Sequence, residues 1–163
     1  MIIGNQEQQQ LLRKIVFSYD RGAFLLIGPE GVGKFSLIKK IAKEYVGENE
    51  NLIIIDSEEK IIKLMTAKFL QNLLRLSTNH KRIIIVNDAH KFNKEAQNSL
   101  LKTIEEIMAK ALLFFVSHKP FRIYPTIRSR MQIIKFNLVP QQEIEAYLDF
   151  QQADESLKQL ALD

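Results

Sequence analysis

Gly28 to Ser36 read GPEGVGKFS, which sets Gly28, Gly31, Gly33 and Lys34 at the spacing of a phosphate-binding loop. Such a loop holds an anion through the backbone N–H groups of its turn, the positive end of the following helix and the lysine ammonium. The pattern then asks for Ser or Thr, whose hydroxyl ligates the magnesium of a bound nucleotide, and here the residue is Phe35. Magnesium demands a near-octahedral shell of oxygens, and a phenyl ring supplies none. Ser36 does not substitute, because one step along a helix turns the side chain by about 100°.

The partner of such a loop is an apolar strand ending in Asp-Glu, where the Asp positions the metal through water and the Glu polarises the attacking water. In this chain the run RIIIVNDAH ends in Asn87-Asp88. Asn87 is neutral where charge is needed, and Asp88 is one methylene shorter than glutamate. Both changes fall on the metal and water side, so these residues predict a phosphate cradle that does not hydrolyse. Further on, SHKPFRIYPTIRSRM carries Arg128 and Arg130, which read as an exposed pair before a strand. His80, His90 and His118 are dispersed without metal-ligand spacing, and each reads as structural or solvated. No Ser/His/Asp arrangement or carboxylate pair is legible.

The elements that must position these residues alternate. Leu11, Leu12, Ile15, Val16 and Tyr19 mark one face of an opening helix, with Asn5 as its N-cap. A strand over Ala23 to Gly28 leads into a helix over Lys34 to Tyr45, with Ile38, Ile41, Ala42 and Tyr45 inward. Asn51 to Asp56 is a second strand. Glu58 to Ser77 is helical at least in its later part, capped by Thr66 and burying Phe69, Leu70, Leu73 and Leu76. After the strand Arg82 to Asp88, Asn93 caps a helix with Ala96, Leu100, Leu101, Ile104, Ile107 and Met108 on its core face. Ala111 to Ser117 and Gln132 to Phe136 complete five strands. Continuous apolar strands alternating with helices predict a parallel sheet covered on both faces. Pro140 breaks the chain, and a new amphipathic helix from Glu143, with Ile144, Tyr147 and Leu148 on one side, starts a second unit that 163 residues leave truncated.

Nearly half of the residues are apolar and about a quarter charged, as in a soluble globular chain. The absence of cysteine excludes disulfides, thiolate zinc sites and a cysteine nucleophile, and suits a reducing cytosol. The apolar runs are too short to span a bilayer, and MIIGNQEQQQ lacks the pattern of a signal peptide, so a cytoplasmic chain with no membrane partner is expected. A net charge of +4 permits contact with nucleic acid without demanding it.

The segments IIGNQEQQQLL, GPEGVGK, IIIVNDAHKFNKEAQNSLLKTIEE and PTIRSRM, in that order, resemble the AAA+ subunits of DNA polymerase clamp loaders, above all the delta-prime family of the bacterial DNA polymerase III loader. The resemblance runs from Ile2 to about Leu148, and its NSLLKTIEE and T-x-x-S-R segments are the specific ones. It implies a RecA-like AAA+ domain over residues 1–140 and the start of a helical lid over 141–163. It places Gly28, Gly31, Gly33 and Lys34 in the family's phosphate loop, Asn87 and Asp88 at its acidic pair, and Ser117 or His118 at its first sensor of the γ-phosphate. Arg130 stands at the family's Ser-Arg-Cys arginine, which reaches into the neighbouring subunit's ATP site. Ile2, Ile3 and Gly4 fall where the N-terminal segment packs near adenine.

The departures from the family's motor subunits are Phe35, Asn87-Asp88, Met131 for Cys and the missing four-cysteine zinc module. Glu106-Ile107, where Pro is usual, implies a helix running on by a turn. Together they imply a stator-type subunit that has lost hydrolysis and offers Arg130 in trans. ATP, ADP or phosphate is left as a weak ligand, with no zinc. The implied partners are the motor and clamp-opening subunits, and primer-template DNA through the whole assembly; the isolated chain is expected to be a monomer. An ATP-hydrolysing clamp-loader motor is the alternative. A small-molecule P-loop kinase leaves the T-x-x-S-R segment unexplained.

Overall fold

The computed structural model describes residues 4–47, 50–56, 59–76, 80–107 and 109–145. The strands are β1 (Gly22–Ile27), β2 (Leu52–Ile55), β3 (Arg82–Val86), β4 (Ala111–Ser117) and β5 (Gln132–Lys135); the helices are α1 (Gln6–Ser18), α2 (Lys34–Val46), α3 (Leu64–Arg75), α4 (Lys94–Glu105) and the single turn α5 (Pro125–Arg128). All pairings are parallel, in the order β2-β3-β4-β1-β5. Parallel strands need crossovers, and the helices between them supply those.

Strand residues alternate between two buried layers, which is why the runs read as continuously apolar. Phe24, Leu26, Ile83, Ile85, Leu112, Phe114 and Val116 pack with Leu12, Ile15 and Val16 of α1 and Leu37, Ile38, Ile41 and Ala42 of α2. Their neighbours Leu25, Ile84, Val86, Leu113 and Phe115 face Ala67, Leu70 and Leu74 of α3 and Ala96, Leu100 and Ile104 of α4. Phe24 and Phe114 stack with centroids 5.1 Å apart at the centre of the first layer.

Several expectations about helix faces need correcting. In α1, Leu11 and Tyr19 are exposed, and Asn5 makes no side-chain cap. Asn5 instead exchanges two hydrogen bonds with the backbone of Asn137, its Nδ2 donating to the carbonyl and its Oδ1 accepting from the N–H. That ties the start of α1 to the chain leaving β5. Tyr45 of α2 is exposed as well, and it meets the Lys81 ammonium 4.0 Å from its ring centroid. The same ammonium donates to the carbonyls of Val16 and Tyr19 at the end of α1.

α3 starts at Leu64 behind Lys63, so Thr66 is not its cap. The reason lies just upstream, where Ile62 is pinned as a parallel bridge to Phe92, its N–H donating to the Lys91 carbonyl. Its buried stripe is Ala67, Leu70 and Leu74, while Phe69 and Leu76 are exposed. Two apolar stripes compete on this helix, and Gln71, whose Nε2 donates to the Ser99 carbonyl of α4, sits beside the one that wins.

Asn93 does cap α4, accepting from the N–H of Ala96 at 2.9 Å. The extra turn expected beyond Glu106 does not form. The chain leaves the helix there and turns inward, with Ile107 against the core and the Ala109 N–H donating to the Leu74 carbonyl at 3.0 Å. Met108, like Ile2, Ile3, Tyr147 and Leu148, lies outside the described residues. After Pro140 a helical turn begins, with the N–H groups of Glu143 and Ile144 donating to the Pro140 carbonyl. Among the described residues no helix is long and apolar enough to cross a membrane.

Candidate functional site

Parallel strands deliver their carboxyl ends to one edge of a sheet, and the ends of β1, β3 and β4 line the site here. The loop after β1 holds Gly28 to Lys34. Gly28 has φ 149°, and a Cβ on it would lie 2.4 Å from the Phe136 carbonyl oxygen at the end of β5, so only glycine fits. Gly33, at φ 82°, turns the chain into α2. The resulting cleft, about 240 Å³, is lined by Glu30, Gly31, Gly33, Lys34, Phe35 and Ser36 on one side and Asn87, Asp88, Val116 and His118 on the other.

The lysine is not extended across this cleft. Lys34 is 5% exposed, and its ammonium donates back to the loop's own carbonyls at Gly28 and Pro29. Phe35 packs against the core beneath α2, with the Lys39 ammonium 5.5 Å from its ring centroid. Asn87 spends its amide on Asp56 after β2, donating from Nδ2 to Oδ1 at 2.9 Å. An octahedral magnesium ion does not fit this donor set, since Phe35 offers no oxygen and Asn87 no charge. Ser36 lines the cleft's rim, one residue past the expected hydroxyl.

Asp88 stands on left-handed backbone, φ 49°, which Asp tolerates better than most residues. Its Oδ2 pairs with the Lys91 ammonium at 3.0 Å, while Oδ1 faces His118 Nδ1 at 3.5 Å and His90 Nδ1 at 4.0 Å. Of the two sensor candidates, His118 lines the cleft and Ser117 lies buried behind it. Ser117 Oγ accepts from the Lys119 N–H and meets His90 Nδ1 at 3.2 Å. The reading of these histidines as separate structural or solvated groups is therefore corrected: His90 and His118 meet edge-on, centroids 4.5 Å apart. β3 and β4 are neighbours, so residues following each come together although the sequence separates them.

Burial lowers the Lys34 pKa against the opposing pull of Glu30 and Asp88. Burial raises the Asp88 carboxyl, but the Lys91 hydrogen bond and charge, with His90 and His118, outweigh it and hold the group below its ordinary value. His90 is lowered chiefly by burial, with Asp88 opposing and His118, Lys119 and Lys91 adding to the effect. A lowered folded pKa means that the unfolded chain takes up the proton first as pH falls. Stability tied to His90 is thus present above about pH 6.5 and drains away below it. Urea midpoints should fall between pH 7.5 and 5.5, and His90→Asn should flatten that slope. An unchanged slope in the variant would remove His90 as the cause.

The two arginines separate. Arg130 is exposed, its Nε donating to Glu105 of α4 at 3.1 Å and its Nη1 to the Thr126 carbonyl at 3.0 Å. Arg128 is only half-exposed, and its Nε is buried without a partner, so the expected exposed pair is a single exposed arginine. α5 inserts Ile127 into the core, next to this half-buried residue. Arg130 does not line the cleft.

The model of a protein family described as "DNA polymerase III, delta subunit" matches residues 46–140. The chain belongs to this family. The match spans the strands and helices that carry Asn87, Asp88, Ser117 and Arg130. Among curated relatives, replication factor C subunit 4 of Encephalitozoon cuniculi is 24% identical over 147 residues, covering 88% of this chain and 47% of the relative. DNA polymerase III subunit delta' of Pseudomonas aeruginosa is 26% identical over 133 residues, 66% of this chain and 40% of the relative. The chain spans about half the length of the curated relatives it matches. A solved DNA polymerase III gamma subunit-related protein of Thermotoga maritima superposes with a TM-score of 0.68 at 21% identity, covering 83% of this chain and 47% of that one. A variant of the RuvB protein of the same organism gives 0.67 at 16% identity over 89% of this chain and 49% of that one. The fold is the RecA-like α/β domain of the AAA+ class.

Proposed function

We propose that this chain is the AAA+ portion of a cytoplasmic, non-hydrolysing clamp-loader subunit of the DNA polymerase III type. It presents Arg130 to the ATP site of a neighbouring motor subunit while the assembly loads a sliding clamp onto primer-template DNA. Residues 1–140 form its nucleotide-binding-type domain, and 141–163 begin a helical lid. The observation that carries the reading is Phe35, a ring built into the phosphate-loop cleft where a metal-binding hydroxyl is required. Asn87, bound to Asp56, adds a second loss on the same side. The cleft still suits a weakly held phosphate, through the loop N–H groups and a Lys34 released from its own carbonyls.

The test is ATP turnover by the purified chain, expected to stay at background with magnesium present. Phe35→Thr alone should not restore it, because Asn87 still leaves the metal poorly held. Steady hydrolysis at per-second rates, abolished by Lys34→Ala, would overturn the reading in favour of a motor subunit. Ser36 at the cleft's rim is the feature that would then need a role.

A further inference from the structure

We propose that Asp88, His90 and His118 form a site for a divalent transition-metal ion of the zinc, cobalt or nickel class at the mouth of the phosphate-loop cleft. One ligand atom from each of the three lies within 4.8 Å of the others. Asp88 Oδ1 sits 3.5 Å from His118 Nδ1 and 4.0 Å from His90 Nδ1. Ligands held at about 2.0–2.2 Å from a tetrahedral ion stand about 3.3–3.6 Å apart, so small side-chain rotations close the set. Two imidazoles and one carboxylate with positions left open suit borderline ions and are a poor match for magnesium, which takes oxygen ligands. This site is separate from any cysteine-held zinc, for which the chain has no ligands.

The surroundings prepare the donor atoms. Lys91 occupies Asp88 Oδ2 and leaves Oδ1 toward the imidazoles. Ser117 Oγ accepts from the Lys119 N–H and keeps its own proton to offer His90 Nδ1 at 3.2 Å, and in the Nε2–H tautomer of His90 that nitrogen carries the lone pair an ion would take. An ion would displace the hydroxyl there. On His118, Nδ1 faces Asp88 Oδ1 at 3.5 Å and Nε2 faces the Glu30 carboxylate at 3.6 Å, so an ion shared by Asp88 and Nδ1 leaves the ring proton on Nε2, where Glu30 can accept it. A carboxylate behind a ligating histidine is the usual outer support of such sites. Because Glu30 belongs to the phosphate loop, an ion on His118 would also brace that loop against the ends of β3 and β4.

The experiment uses the untagged full chain titrated with Co²⁺ and Zn²⁺ alone, followed by the visible absorption of cobalt and by calorimetry. One ion per chain is expected, with a cobalt spectrum of nitrogen and oxygen ligands that Zn²⁺ bleaches. His118→Gln and Asp88→Asn should each weaken binding at least tenfold, whereas His80→Ala, which removes the histidine outside the cluster, should leave it unchanged. His118 is partly exposed, so its variant should fold, and a circular dichroism spectrum checks this even if His90→Ala does not. Absence of stoichiometric binding, or binding unaltered by His118→Gln and Asp88→Asn, overturns the site. Neither result depends on whether the chain turns over ATP.

Discussion

Gly28→Ala should cost the fold about 3–5 kcal/mol, far more than the same change at Gly31. At Gly28 the backbone has φ 149°, and the added Cβ would meet the Phe136 carbonyl oxygen at 2.4 Å and the Phe136 Cβ at 3.0 Å. Neither can retreat easily, because the Phe136 N–H donates to the Ile27 carbonyl at 2.7 Å and its side chain is buried under α1 and α2. The variant must open the junction of β1 and β5 or distort the loop. Gly31 also has positive φ, 80°, but nothing lies within 4 Å of its virtual Cβ. There the cost is the left-handed backbone alone, about 1–2 kcal/mol, partly offset by the stiffer unfolded chain. Urea midpoints of the two variants decide the matter. Equal losses would mean that the approach of Phe136 does not constrain Gly28.

That contrast is not legible in the sequence, where both glycines belong equally to one motif. What the sequence does carry is the sheet. Runs such as RIIIV and ALLFFVS fill both layers, and their alternation with helical stretches predicts parallel order without any knowledge of pairing. The helix faces are less legible, because α3 has more apolar residues than its buried side can use. Phe69 and Ala67 are both available to a helical stripe, and the choice falls to the bridge between Ile62 and Phe92 and to the bond from Gln71 of α3 to the Ser99 carbonyl of α4. Likewise Asn5 has the chemistry of a cap but uses it on Asn137, a partner that only the closed sheet supplies.

The site divides the same way. Glycine spacing, Phe35 and Asn87 announce a phosphate cradle without its metal side, and the structure brings Gly31, Gly33, Lys34, Asn87 and Asp88 to one cleft. The histidines escape such reading because metal-ligand spacing is a local pattern, while His90 and His118 are joined by strand order. Ser117 and His118 at the end of β4 are parted by the pleat, which turns alternate residues to opposite faces and leaves Ser117 buried and His118 lining the cleft. The buried Nε of Arg128 has no signature in the sequence at all, since a dipeptide away Arg130 is exposed.

Arg130→Ala should leave the isolated chain nearly as stable as before, yet slow ATP turnover and clamp loading roughly tenfold or more in an assembly reconstituted from the full-length subunit and its partners. In the isolated chain the arginine gives up an exposed pair with Glu105 and one bond to the Thr126 carbonyl, contacts of a kind worth about 0–1 kcal/mol. At a neighbour's nucleotide the same guanidinium would meet charge developing on the transferred phosphoryl group, where arginines acting in trans are worth about 10³-fold or more. On the proposed reading, the smaller figure allows for other interfaces of such an assembly supplying arginines of their own. Arg128→Ala is not a clean control, because Arg128 is half-buried and its Nε lies out of solvent. Arg122→Ala, which removes the same charge from an exposed position nearby, is the better one. Reconstituted assemblies carrying either variant should be compared at equal occupancy, so that a defect in assembly is not read as a defect in catalysis. If Arg122→Ala and Arg130→Ala behave alike, or if neither slows the assembly, Arg130 is a surface arginine held by Glu105 and the trans-acting role is lost.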